Sequence, residues 1–131
     1  MAFGFMGMFG RSSELRQLDA ALRAVDLHPR LVKEGLKLAA VRLMRAELGT
    51  PTPGDYAHAA ALIAYCMVGA SGFLEANGEA ALEETERRVE AATADGDSLD
   101  AQLVLLTLHA GVLQPSVISA FGLVTEEKRT D

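Results

Sequence analysis

The residue types able to do chemistry are few and widely spaced in this chain. His58, Tyr65 and Cys66 fall within one stretch, DYAHAAALIAYCMV, and Gln102 and His109 fall within another, DAQLVLLTLHAGV. At about 100° per residue, two residues seven apart share a helical stripe, which pairs His58 with Tyr65 and Gln102 with His109. If the two stretches pack side by side in the right rotation, these five side chains line a small polar pocket able to move protons. Asp55 and His58, three apart, also offer two ligands to a metal ion. A zinc site containing a carboxylate needs further His or Cys, and His109 is the third ligand at hand.

Each of these residues has an ordinary structural role as well. Asp55 sits where a helix cap is needed, His58 is a polar residue of a first turn, and His109 lies near a helix end. Cys66 lies on an apolar face with no neighbouring base, where a thiol packs as a small inert hydrophobe. The chain has no phosphate-binding glycine loop, dinucleotide fingerprint, paired CxxC, HExxH or GxSxG. No catalytic residue, metal or cofactor is assigned on this basis, and the non-enzymatic reading is favoured.

The elements that must position these residues are helices. The 131 residues suit one domain, half of them are apolar, Trp is absent, and no β-branched run alternates with period two. The fold expected is all-α, an irregular or orthogonal bundle of about six helices around a central helix at 97–112. That segment, DSLDAQLVLLTLHAGV, is apolar on two opposite faces: Leu99, Leu103, Leu106 and Ala110 on one, Ala101, Val104, Leu105, Leu108 and Val112 on the other. Two narrow polar stripes separate them, Gln102 with His109 and Asp100 with Thr107. Asp97 is placed to cap it, and Gly111 and Pro115 to end it.

In chain order, Ser12 or Ser13 caps a first helix buried through Leu15, Leu18, Leu22 and Val25, ending before Pro29. A second helix is expected over Pro29 to Leu48, with its basic residues scattered around the outer circumference. Thr52, Pro53 and Asp55 form a variant capping box for a third helix, which breaks at Gly69 to Gly72 before a short turn closed by Asn77-Gly78. An acidic helix over Glu79 to Ala94 buries a seam of Leu82, Thr85, Val89 and Ala92, with Glu83–Arg87 and Glu84–Arg88 as i,i+4 pairs. A short helix after Pro115 ends at Gly122.

The domain is therefore assigned to 12–123, with an apolar arm at 1–11 and a disordered tail at 124–131. The arm, MAFGFMGMFG, carries Phe3, Phe5, Met6, Met8 and Phe9 and no charged side chain before Arg11. It reads as a cover for an apolar groove on its own domain or a neighbouring subunit. Peripheral membrane contact is less favoured, because three glycines and no basic face make a poor interfacial helix. Ala2 excludes N-myristoylation.

Residues 1–50 carry a charge of +3 and residues 51–131 carry −9. Such faces can attract one another within or between subunits. A helix-turn-helix drawn through the second and third helices fails as a nucleic-acid reader, because its recognition helix, Asp55 to Val68, has no Arg or Lys. One cysteine, no signal-peptide pattern and no apolar run near 18 residues point to a cytoplasmic protein that is not integral to a membrane.

The segments LHPRLVKEGLKLAAVRLM and DSLDAQLVLLTLHAGVLQPSV resemble small uncharacterised all-helical proteins of alphaproteobacteria. The resemblance covers about a third of the chain and implies a bacterial cytosolic helical domain, with no activity attached. The functional expectation is a non-enzymatic helical interaction or scaffold module acting as a homo-oligomer. The alternative is a small-ligand or metal-binding helical protein, conceivably an enzyme, with a pocket near His58, Tyr65 and His109.

Overall fold

A computed structural model describes residues 12–123. The arm, with Phe3, Phe5, Met6, Met8 and Phe9, and the tail at 124–131 lie outside the described residues. Among those described are six α-helices and one 3-10 turn, with no strand: α1 (Ser13–Ala24), the turn Pro29–Leu31, α2 (Glu34–Leu48), α3 (Pro53–Asn77), α4 (Glu79–Ala94), α5 (Leu99–His109) and α6 (Pro115–Phe121). The all-α bundle follows from the sequence pattern.

The start of α1 is set by Ser12, whose hydroxyl accepts from the Leu15 N–H at 3.2 Å. Leu15, Leu18 and Leu22 are buried along one stripe, and each fully buried leucine contributes about 1.5–3 kcal/mol. The capping box of α3 forms in both directions: Asp55 N–H donates to Thr52 Oγ1 at 3.2 Å and Thr52 N–H to Asp55 Oδ2 at 2.8 Å. The α4 bounds match the expectation, with Thr85, Val89 and Ala92 buried and Leu82 half-buried.

The centre of the bundle is α3 rather than the segment at 97–112. α3 packs against α1, α4, α5 and α6, and Tyr56, Ala60, Leu62, Ile63, Tyr65, Cys66 and Phe73 are all buried on it. Its alanines let neighbouring helices come close, a property that a search for large apolar faces passes over. By length and composition α3 is also apolar and long enough to cross a membrane, which the count of uninterrupted apolar residues did not anticipate. Half of its most apolar window is buried inside the bundle.

The expected break in α3 falls on Gly69 alone, with φ 83° and ψ 176°, and the helix continues to Asn77. The kink opens the Cys66 carbonyl to a partner from outside the helix, and Gln114 N–H donates to it at 2.8 Å. Pro115 then starts α6 at that point. A Cβ at Gly69 would lie 3.2 Å from Ser116 Oγ, a tight contact that adds to the demand for glycine made by the positive φ.

The expected second helix is divided. Pro29–Leu31 is a 3-10 turn, Val32 is extended and buried, and α2 begins at Glu34. The division frees the Pro29 carbonyl from an α-helical partner four residues on. It accepts instead from Val32 N–H at 3.1 Å and from Lys37 Nζ at 3.2 Å. His28 is a turn residue, its Nδ1 accepting from Arg30 N–H at 3.1 Å. Ser98, one residue later than expected, caps α5 by accepting from Ala101 N–H at 3.1 Å. Gly122 ends α6 in the left-handed region and Leu123 N–H folds back onto the Ile118 carbonyl at 3.0 Å.

Candidate functional site

The helix expected to be packed on both sides, α5, touches α2, α3 and α4, yet its fully buried residues lie in one arc. Ala101, Leu103, Val104 and Thr107 are buried, an arc of about 160° at 100° per residue. Leu105 remains 44% exposed and Leu106 and Leu108 are half-buried. The two polar stripes consequently meet different fates. Asp100 and Thr107 fall in the middle of the packed arc, while Gln102 and His109 fall in the middle of the open one.

On the packed side the polar groups are used to join helices. Asp100 accepts two hydrogen bonds from Arg88 of α4, at 2.9 and 3.0 Å, in a bidentate pair. That pair replaces the expected Glu84–Arg88 contact, and Arg87 pairs with Glu84 at 2.6 Å rather than with Glu83. Thr107 donates to its own helix at the Val104 carbonyl, 2.7 Å away. It is also hydrogen-bonded to Cys66 of α3. Burial pushes the Cys66 thiol up to about 11, with the Thr107 hydrogen bond and the Arg88 charge pulling the other way. Such a thiol is protonated at neutral pH and is not a nucleophile.

Tyr65 turns toward α4 and α6. Its hydroxyl donates to Glu86 Oε2 at 3.3 Å, and its ring meets Phe73 and Phe121 edge-on, with centroids 5.9 and 6.4 Å away. Burial first, and the Glu86 carboxylate next, push its phenol above the ordinary range. His58 is exposed on the first half of α3. Of the five residues singled out for a polar pocket, the structure joins Gln102 with His109 in one groove. Tyr65 and Cys66 belong to the packed interior. No group of three or more His, Cys, Asp or Glu among the described residues is placed to hold a metal ion.

The groove that Gln102 and His109 share lies between α2 and α5. It is lined by Ala39, Arg42, Leu43, Gln102, Leu105, Leu106 and His109, with a volume of about 520 Å³. Its floor is apolar, and its polar edge contains no carboxylate among the described residues. Lys33 closes one end by donating to the Ala110 carbonyl at 2.9 Å, a cation at the negative end of α5. Leu105 is a crest: on its other side a pocket of about 150 Å³ opens, lined by Val89, Ala92, Thr93, Gly96, Ala101, Val104, Leu105 and Leu123.

Sequence reasoning missed Lys37 altogether. Placed among solvated basic residues by its charge, it is buried, with Nζ 3.0 Å from Asp19 Oδ1, 3.5 Å from Glu34 Oε1 and 3.2 Å from the Pro29 carbonyl. The available signal was its position four residues before Val41 on a face with Ala40 and Met44. Comparison of the chain with protein-family models, curated proteins and solved structures finds no match.

Proposed function

We propose that this chain is a non-enzymatic helical interaction module that acts as a homo-oligomer through the groove between α2 and α5. The observation that carries the reading is Leu105, 44% exposed on the crest between two apolar concavities. Its neighbours Leu43 and Leu106, like Leu105 itself, lose their remaining water contact only when another surface covers them. Arg42, Gln102 and His109 supply a polar rim around that apolar centre, the usual arrangement of a protein interface.

The test is native mass spectrometry and sedimentation of the intact protein beside Leu105→Glu. The expected result is a dimer or higher species without retained small mass, which the exposed carboxylate converts to a monomer while helical circular dichroism is preserved. A wild-type monomer, or a Leu105→Glu protein of unchanged mass, overturns the reading. The meeting of Gln102 with His109 in the same groove favours a second reading, a small-ligand site. It predicts a discrete bound mass that His109→Ala removes.

A further inference from the structure

We infer that the groove of one copy receives the apolar arm of a second copy, so that the oligomer is held by reciprocal exchange of residues 3–9. This rests on the proposed reading of the groove as a self-association surface and names what fills it. Three observations converge on that occupant.

The first is where the chain leaves the described bundle. Glu14, at the start of α1, is held by Arg45 of α2 at 2.7 Å, and Arg45 is one turn from the groove residue Arg42. The arm therefore emerges beside the open end of a groove. Eleven residues precede Ser12, and an extended chain of that length spans up to about 36–40 Å. The groove itself, eight residues of α5 from Gln102 to His109, is about 10 Å long. The arm has ample length to reach the equivalent groove of an adjoining copy. Ser12 is extended, with φ −62° and ψ 159°.

The second is chemical match. The floor offers Ala39, Leu43, Leu105 and Leu106, and the arm offers Phe and Met with no charged side chain to desolvate. Unbranched Met fills irregular apolar gaps, and Arg42 at the rim is suited to lie over a Phe ring. The third is area. Phe3, Phe5, Met6, Met8 and Phe9 together present on the order of 800 Å² of side-chain surface, the share each partner gives to an interface of standard size. Two reciprocal arms obey the two-fold rule that the same patches meet on both copies. Docking of one also raises the effective concentration of the other.

The experiment mixes two preparations of the full-length protein. One is unmodified and methyl-labelled for NMR. The other carries no NMR label and bears a nitroxide on Gly7→Cys, a position that leaves the arm's apolar side chains intact. Cys66 is buried and protonated and does not take the label. Exchange between copies is expected to broaden the methyl signals of Leu43, Leu105 and Leu106 in the NMR-labelled chain. The broadening should vanish when that chain carries Leu105→Glu. Absence of broadening in the mixture overturns the inference, and so does broadening seen only when nitroxide and NMR label share one chain, which assigns the arm to its own groove. In either case a wild-type dimer dissociated by Leu105→Glu leaves the interaction reading standing, so the two failures are told apart.

Discussion

The buried ion pair of Lys37 and Asp19 shows most clearly how a single residue departs from its type. Their side chains are 5% and 14% exposed, and the lysine also satisfies the Pro29 carbonyl. Removing one partner of such a pair leaves a desolvated charge behind, whereas replacing both with apolar groups of similar shape can be nearly neutral. Lys37→Met is therefore expected to lower the unfolding free energy by about 3 kcal/mol, and Lys37→Met with Asp19→Leu to recover much of it. Urea titration of the wild type and both variants checks this. Equal losses in the single and double variants contradict the account.

Cys66 and Tyr65 make a pH prediction of definite sign. In the folded chain burial raises both groups above their ordinary values, so folding favours their protonated forms. Their contribution is fully present below the unfolded values of about 9.0 and 10 and is lost as pH rises toward the folded ones. For Cys66 the shift from 9.0 to about 11 corresponds to a loss of about 3 kcal/mol. The urea midpoint should fall between pH 9 and pH 11 by more than it changes at lower pH. Cys66→Ala and Tyr65→Phe should each flatten that fall; parallel curves for all three proteins refute it.

At the scale of elements, the kink of α3 is what lets one helix serve four neighbours. Gly69 turns the chain, the Cys66 carbonyl accepts from Gln114, and α6 is seated against the bend. A side chain at φ 83°, ψ 176° is strained by about 1–3 kcal/mol in addition to any steric contact. Gly69→Ala should lower stability by at least that amount. Adding Ser116→Ala relieves the 3.2 Å contact but not the backbone strain, so little stability should return. Full rescue in a thermal melt excludes the conformational explanation. The other junctions are polar fasteners: Arg88–Asp100 joins α4 to α5, Tyr65–Glu86 joins α3 to α4, and Asn77 Nδ2 donates to the Val25 carbonyl at 3.1 Å to hold the end of α3 on α1.

At the scale of the whole molecule, the bundle leaves one side of α5 less covered than its sequence suggests, and the self-association test with Leu105→Glu belongs to this scale. The expected change is in subunit number with the fold retained, because Leu105 adds little to the interior of a single copy. Helix identity, caps and the α4 seam were legible in the chain, since spacing at 3.6 residues and capping chemistry are local. Ser12, the Thr52 and Asp55 capping box, and the bounds of α4 depend on neighbours within four residues. The pairing of Gln102 with His109 was legible for the same reason, being a matter of one helix. Their separation from Tyr65 and Cys66 was not, because it depends on how α3 and α5 are rotated against each other. Nor could the sequence say which polar stripe of α5 meets the interior, since Asp100 with Thr107 and Gln102 with His109 are equivalent in one dimension. Only packing decided between them. Arg88 and Cys66 offered partners to one stripe, and the other was left facing α2 across an open groove.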